Sequence, residues 1–97
     1  ECDLEMRVRD HFTGYALAED APQVQMAARA LEAVGITPRF EASGGGSDVN
    51  ALLVNGFPAV NLCNAMTDVH TPDERIRVAD VERMVDVTLA IIDGARV

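Results

Sequence analysis

No lysine occurs among the 97 residues, and eight arginines stand against sixteen Asp and Glu, for a formal net charge of -8. So acidic a surface repels phosphate backbones and anionic lipid heads, which argues against nucleic-acid and membrane partners. Without lysine there is no Gly-Lys-Ser or Gly-Lys-Thr, so a phosphate loop is excluded. No apolar run approaches the ~20 residues that a helix needs to cross a bilayer. The two cysteines, Cys2 and Cys63, lie far apart and form no CxxC metal knuckle. Each sits in a strand-like run, which reads as a reduced, buried thiol of a cytoplasmic protein, with a single disulfide between them as the alternative. The chain starts at Glu1 with neither an initiator Met nor a signal-like segment.

What is present is globular in character. Hydrophobic residues make up 48% and charged residues 25%, so disorder is not expected. A chain of this size makes one small domain that buries roughly two thirds of its unfolded surface. Cys2, Leu4, Met6 and Val8 alternate with Asp3, Glu5, Arg7 and Arg9, the period of a half-buried strand. Thr13-Gly14-Tyr15 breaks that pattern. Pro22, just after Asp20, suits a first helical turn; Val24, Ala27, Leu31 and Val34 continue a helical stripe, and Gly35 is placed to end it. Residues 36–41 return as a short strand.

At Ala42 the character changes. Gly44-Gly45-Gly46-Ser47 leads into residues 48–54, a short apolar helix closed by Asn55-Gly56. Residues 58–63 read as a buried strand with few charges. A polar loop then carries His70, residues 75–78 suit a brief edge strand, and Asp80 is placed to cap a last helix with the stripe Val81, Met84, Val85, Thr88 and Ile92. Three glycines in a row are ordinarily a flexible turn. Before a helix start, however, they let a ligand approach backbone N–H groups, and Gly45 is where a positive φ is expected. A lone histidine is ordinarily a surface or core residue; His70 differs in following a buried strand, where α/β folds gather ligands, with Pro72 restricting its neighbour Thr71. His11 has no such context and reads as a surface residue.

Taken together, Gly44-Gly45-Gly46-Ser47-Asp48-Val49-Asn50, then Asn55-Gly56-Phe57-Pro58, then His70-Thr71-Pro72-Asp73-Glu74 resemble the C-terminal end of the dinuclear zinc exopeptidases. That superfamily holds peptidase T, the aminoacylases and the carboxypeptidase G enzymes, and the wording is closest to the peptidase T-like tripeptidases. The resemblance implies an α/β fold, here an α+β fragment: residues 1–41 as the last part of an inserted lid and dimerisation domain, 42–97 as the last part of the catalytic domain. It implies two zinc ions in the intact enzyme, with His70 as one ligand. Gly44, Gly45, Gly46 and Ser47 would line the substrate pocket; Asp48 belongs to the motif, but a plain helix-start carboxylate is an equal reading. Asn50 matches without an assignable role, Asp73 stands where glutamate is expected in some members, and Glu74 reads as a solvated turn residue.

The remaining ligands and the general base of a two-metal hydrolase would precede Glu1, so no catalytic residue is expected in this chain and none of its residues turns over substrate alone. The implied activity is cleavage of short peptides, tripeptides above all, with aminoacylase or carboxypeptidase chemistry as the alternative within the superfamily. From another class comes a noncatalytic module that binds a partner chain or a second copy through an unpaired strand edge at residues 2–8.

Overall fold

The structure, a computed structural model, describes residues 2–96. Its helices are α1 (Pro22–Ala33), α2 (Asp48–Val54) and α3 (Val78–Gly94). Pro22 opens α1, where its missing N–H costs nothing, and the Gln25 side chain ties the preceding turn by donating to the Glu19 carbonyl at 2.8 Å. Both α1 and α2 end in the same way. Gly35, at φ +78°, donates to Glu32 O while Ile36 N–H reaches back to Leu31 O; Gly56, at φ +80°, donates to Leu53 O while Phe57 N–H reaches Leu52 O. Each pair satisfies carbonyls that the helix end would orphan, at a left-handed position open to glycine at little cost.

α1 and α3 pack against each other. Met26, Arg29, Ala30 and Ala33 line one groove with Ala90, Asp93 and Gly94, and Arg83 donates to Val34 O at 2.8 Å. Val24, Ala27, Ala28 and Ala30 are buried on α1, and Val87 is 1% exposed on α3. The alanines keep the α1 surface low so that a branched side chain on the facing helix is enclosed. The α3 stripe expected at Val81, Met84, Val85, Thr88 and Ile92 is therefore corrected. Of these only Met84 is half-buried, and the covered side runs through Asp80, Met84, Val87 and Ile91. Val78, Val81, Val85, Leu89 and Ile92 form a second apolar stripe, left exposed. A helix apolar on both sides gives no phase from which one burial face can be chosen.

Among the described residues no strand forms, which corrects the α/β expectation for this chain to three helices joined by extended stretches. Residues 2–8, 36–41 and 58–63 carry no ladder, and the expected edge strand at 75–78 reduces to one antiparallel bridge between Thr67 and Arg75, with Val78 already in α3. A strand exists only as part of a pair. Alternation shows which side of a segment a partner would cover, and Leu4, Met6 and Val8 are 89%, 76% and 78% exposed without one. For the same reason Cys2 and Cys63 are free, as expected, but exposed rather than buried. The radius of gyration is 17.3 Å, against roughly 12.5 Å for a compact domain of this length. No helix is long and apolar enough to cross a membrane.

Candidate functional site

Ser47 is the N-cap of α2. Its Oγ accepts from Val49 N–H at 3.2 Å, while Asn50 Oδ1 accepts from Ser47 N–H at 2.9 Å, a reciprocal capping box. Asp48 stands exposed in the first turn, a favourable place for a carboxylate. Asn50 is 4% exposed, and its Nδ2 donates to the Thr13 carbonyl at 2.8 Å. Asn61 Nδ2 donates to Ser47 Oγ at 2.8 Å and to the Tyr15 hydroxyl at 3.1 Å. The ring of Phe12 fills the space that a Cβ on Gly46 would need. Gly44 and Gly45 have room over their α-carbons, with only Ser43 Oγ at 3.6 Å from a Cβ on Gly45. The positive φ expected at Gly45 is absent, since the left-handed glycines are Gly35 and Gly56. In this loop it is Gly46 that the Phe12 ring packs over, so a side chain there would have to displace that exposed ring.

His70 is exposed at the tip of a second, separate loop. Thr67 and Arg75 close it by exchanging backbone hydrogen bonds of 2.9 and 3.2 Å, and Arg75 Nη1 reaches Asp68 Oδ2 at 3.0 Å. Thr71 Oγ1 donates to Asp68 O at 2.6 Å and accepts from Asp73 N–H at 3.2 Å. Ala65, Asp68 and His70 have φ of 62°, 53° and 66°, three separate left-handed positions held by non-glycine residues. Each such residue costs of order 1–3 kcal/mol and persists where neighbours over-determine it. At His70 the neighbour is Glu74, whose Oε2 accepts the His70 N–H at 2.8 Å. Glu74 is exposed, as expected of a solvated turn residue, and in addition holds the His70 amide.

Among the described residues no three His, Cys, Asp or Glu converge as a metal site. No hydrogen bond or ion pair of those residues links the His70 loop to the glycine loop. One concavity lies at the base of the His70 loop, against Thr67, Arg75, Arg77 and Asp80, and another between α1 and α3; neither is lined by His70 or by the glycine loop. The sequence pointed to Gly44–Asp48 and His70 but passed over Phe12, Thr13, Tyr15 and Asn61. The visible signal for Asn61 was a lone amide within the apolar run Pro58-Ala59-Val60-Asn61-Leu62-Cys63.

Residues 2–94 match the profile of peptidase family M20/M25/M40, and the chain belongs to that family. Peptidase T of Halothermothrix orenii is 41% identical over 70 residues, covering 72% of this chain and 17% of that protein. The protein YqjE of Bacillus subtilis is 28% identical over 91 residues, covering 94% of this chain and 24% of its own length. Among solved structures, the aminopeptidase PepT of Bacillus cereus superposes with a TM-score of 0.79 at 36% identity, over 86% of this chain and 22% of that one. The chain therefore spans between 17% and 24% of the length of these relatives.

Proposed function

We propose that this chain is the C-terminal part of a zinc-dependent exopeptidase that cleaves short peptides, tripeptides above all, in the cytoplasm. The observation that carries it is the likeness to aminopeptidase PepT, a TM-score of 0.79 at 36% identity over 86% of the chain. His70 is the one metal ligand it contributes. Its imidazole is exposed on a backbone held by Glu74 and by the closed ring of residues 67–75, which suits a preformed ligand. One imidazole is a share of a site rather than a site, and the other ligands and the general base come from elsewhere in the intact enzyme. When bound there, zinc supplies a Lewis acid for the scissile carbonyl and lowers the pKa of a bound water.

Gly44, Gly45, Ser47 and Asp48 border the peptide groove, with open space over the first two for a substrate backbone. Gly46 belongs to the same loop but serves it by admitting Phe12. The extended stretches 2–8, 36–41 and 58–63 become strands when they meet the rest of the α/β sheet and the lid. The packing of α1 on α3 favours a return from lid to catalytic body before Pro22, earlier than the division at 41 and 42 that the order of elements suggested.

The test is made on the intact enzyme, wild type against His70→Ala, with tripeptides and N-acyl amino acids as rival substrates. Tripeptide turnover should depend on zinc, and the variant should lose about one zinc per chain and at least about a hundredfold in kcat with its fold retained. Unchanged metal content and turnover would remove His70 from the site. Preference for N-acyl amino acids would move the enzyme to the aminoacylase side of the superfamily.

A further inference from the structure

The glycine loop is gripped from behind by one short stretch of chain. Phe12 covers Gly46, the Thr13 carbonyl accepts from Asn50 Nδ2 at 2.8 Å, and the Tyr15 hydroxyl accepts from Asn61 Nδ2 at 3.1 Å. The two hydrogen bonds span 37 and 46 residues of sequence, so they are tertiary and not part of any local turn. They converge on Ser47, whose Oγ also takes Asn61 Nδ2 at 2.8 Å. Asn50 is the buried member, 4% exposed, and both ends of its amide are engaged. The neighbours fix its orientation, because Ser47 N–H can only donate and the Thr13 carbonyl can only accept.

We infer that Asn50 is a positioning residue, which holds the Ser47 N–H and the Thr13 carbonyl at once and so makes the place of the glycine loop depend on how residues 12–15 sit. This rests on the proposal that the loop borders the peptide groove. Aspartate at 50 keeps the acceptor for Ser47 but turns an oxygen onto the Thr13 carbonyl, so it breaks the clamp and spares the cap. Residues 12–15 lie between the extended stretch 2–8 and α1. A movement of the former relative to the latter therefore reaches the loop through this amide.

The experiment compares the intact, zinc-loaded wild type with Asn50→Asp by two readouts, peptide kinetics and amide hydrogen exchange. The expected result is a KM raised about tenfold with kcat within about twofold, full zinc content, and exchange about tenfold faster across residues 10–17 with α3 unchanged. Tyr15→Phe, which deletes only a surface acceptor, should shift both readouts the same way by about two- to threefold and serves if Asn50→Asp does not fold. A raised KM without faster exchange at 10–17 overturns the inference, since Asn50 would then act on substrate directly. Faster exchange without a change in KM overturns it as well, because the loop would not follow the stretch. Uniformly faster exchange, α3 included, reduces Asn50 to a stability residue. If the wild type cleaves no peptide at all, the function proposed above fails, while exchange at 10–17 still decides the clamp.

Discussion

Glu74 acts on the backbone of its own loop. His70 sits at φ +66° with its N–H committed to Glu74 Oε2, and a non-glycine residue stays there only while such a bond outweighs the backbone cost. Replacing Glu74 with alanine in the intact enzyme should lower zinc affinity about tenfold, whereas glutamine, which retains an acceptor oxygen, should stay close to wild type. Equal zinc affinities in all three proteins, measured by competition with a chelator, would show that His70 needs no such support. The sequence made His70 a candidate through its place after an apolar run. It included Glu74 in the same motif but not its contact, because an i+4 contact made through a left-handed turn leaves no periodic trace.

Among the elements, α3 depends on its packing and on its first turn. Val87 is enclosed against α1, so Val87→Ala should destabilise the fold by about 2 kcal/mol from lost burial and the remaining cavity; denaturant titration measures it, and a change below about 0.5 kcal/mol would show that α3 does not lean on α1. At the start of α3, Asp80 does not cap the helix. The N-cap is Arg77, and its guanidinium grips both Asp80 oxygens at 2.7 and 3.0 Å. That hydrogen bond holds the Asp80 carboxyl below its ordinary value of 3.8 and raises Arg77. A lowered carboxylate pKa adds stability that is fully present above the unfolded value and is lost as pH falls through the folded one. Exchange protection of the first α3 turn should therefore be flat at neutral pH and fall on acidification below about pH 3.8, and Asp80→Asn should flatten that acid limb. An acid limb of unchanged slope in Asp80→Asn would assign it to other carboxylates. Because Arg77 is exposed and Asp80 only half-buried, the effect is small and screened by salt.

At the scale of the whole molecule, the outstanding property is apolar surface left without a partner. Leu4, Met6 and Val8 on one stretch and Val81, Val85, Leu89 and Ile92 on α3 are all exposed, and a chain that spans 17% of one peptidase T holds a small share of any core such a protein builds. Purified as 97 residues, it should show no zinc-dependent peptidase turnover, since it offers one candidate ligand and no general base. Zinc-dependent tripeptide cleavage by homogeneous material of confirmed mass would contradict that expectation. The exposed stripes should also make the isolated chain self-associate, which light scattering reads directly.

The sequence by itself determined what is local. Pro22 and Gly35 bounded α1, Ser47 and Asn55-Gly56 bounded α2, and the motif wording identified the family, because caps, left-handed glycines and short motifs are written in adjacent residues. Only the tertiary structure decided which side of α3 is covered, what packs over Gly46, and what Asn50 and Asn61 hold. Those depend on residues 14 to 49 positions away in sequence, and no periodicity encodes a contact at that range. The extended stretches mark the boundary between the two. Their alternation is a local fact, but a strand requires a second chain segment to hydrogen-bond with, and that is a property of the assembled sheet.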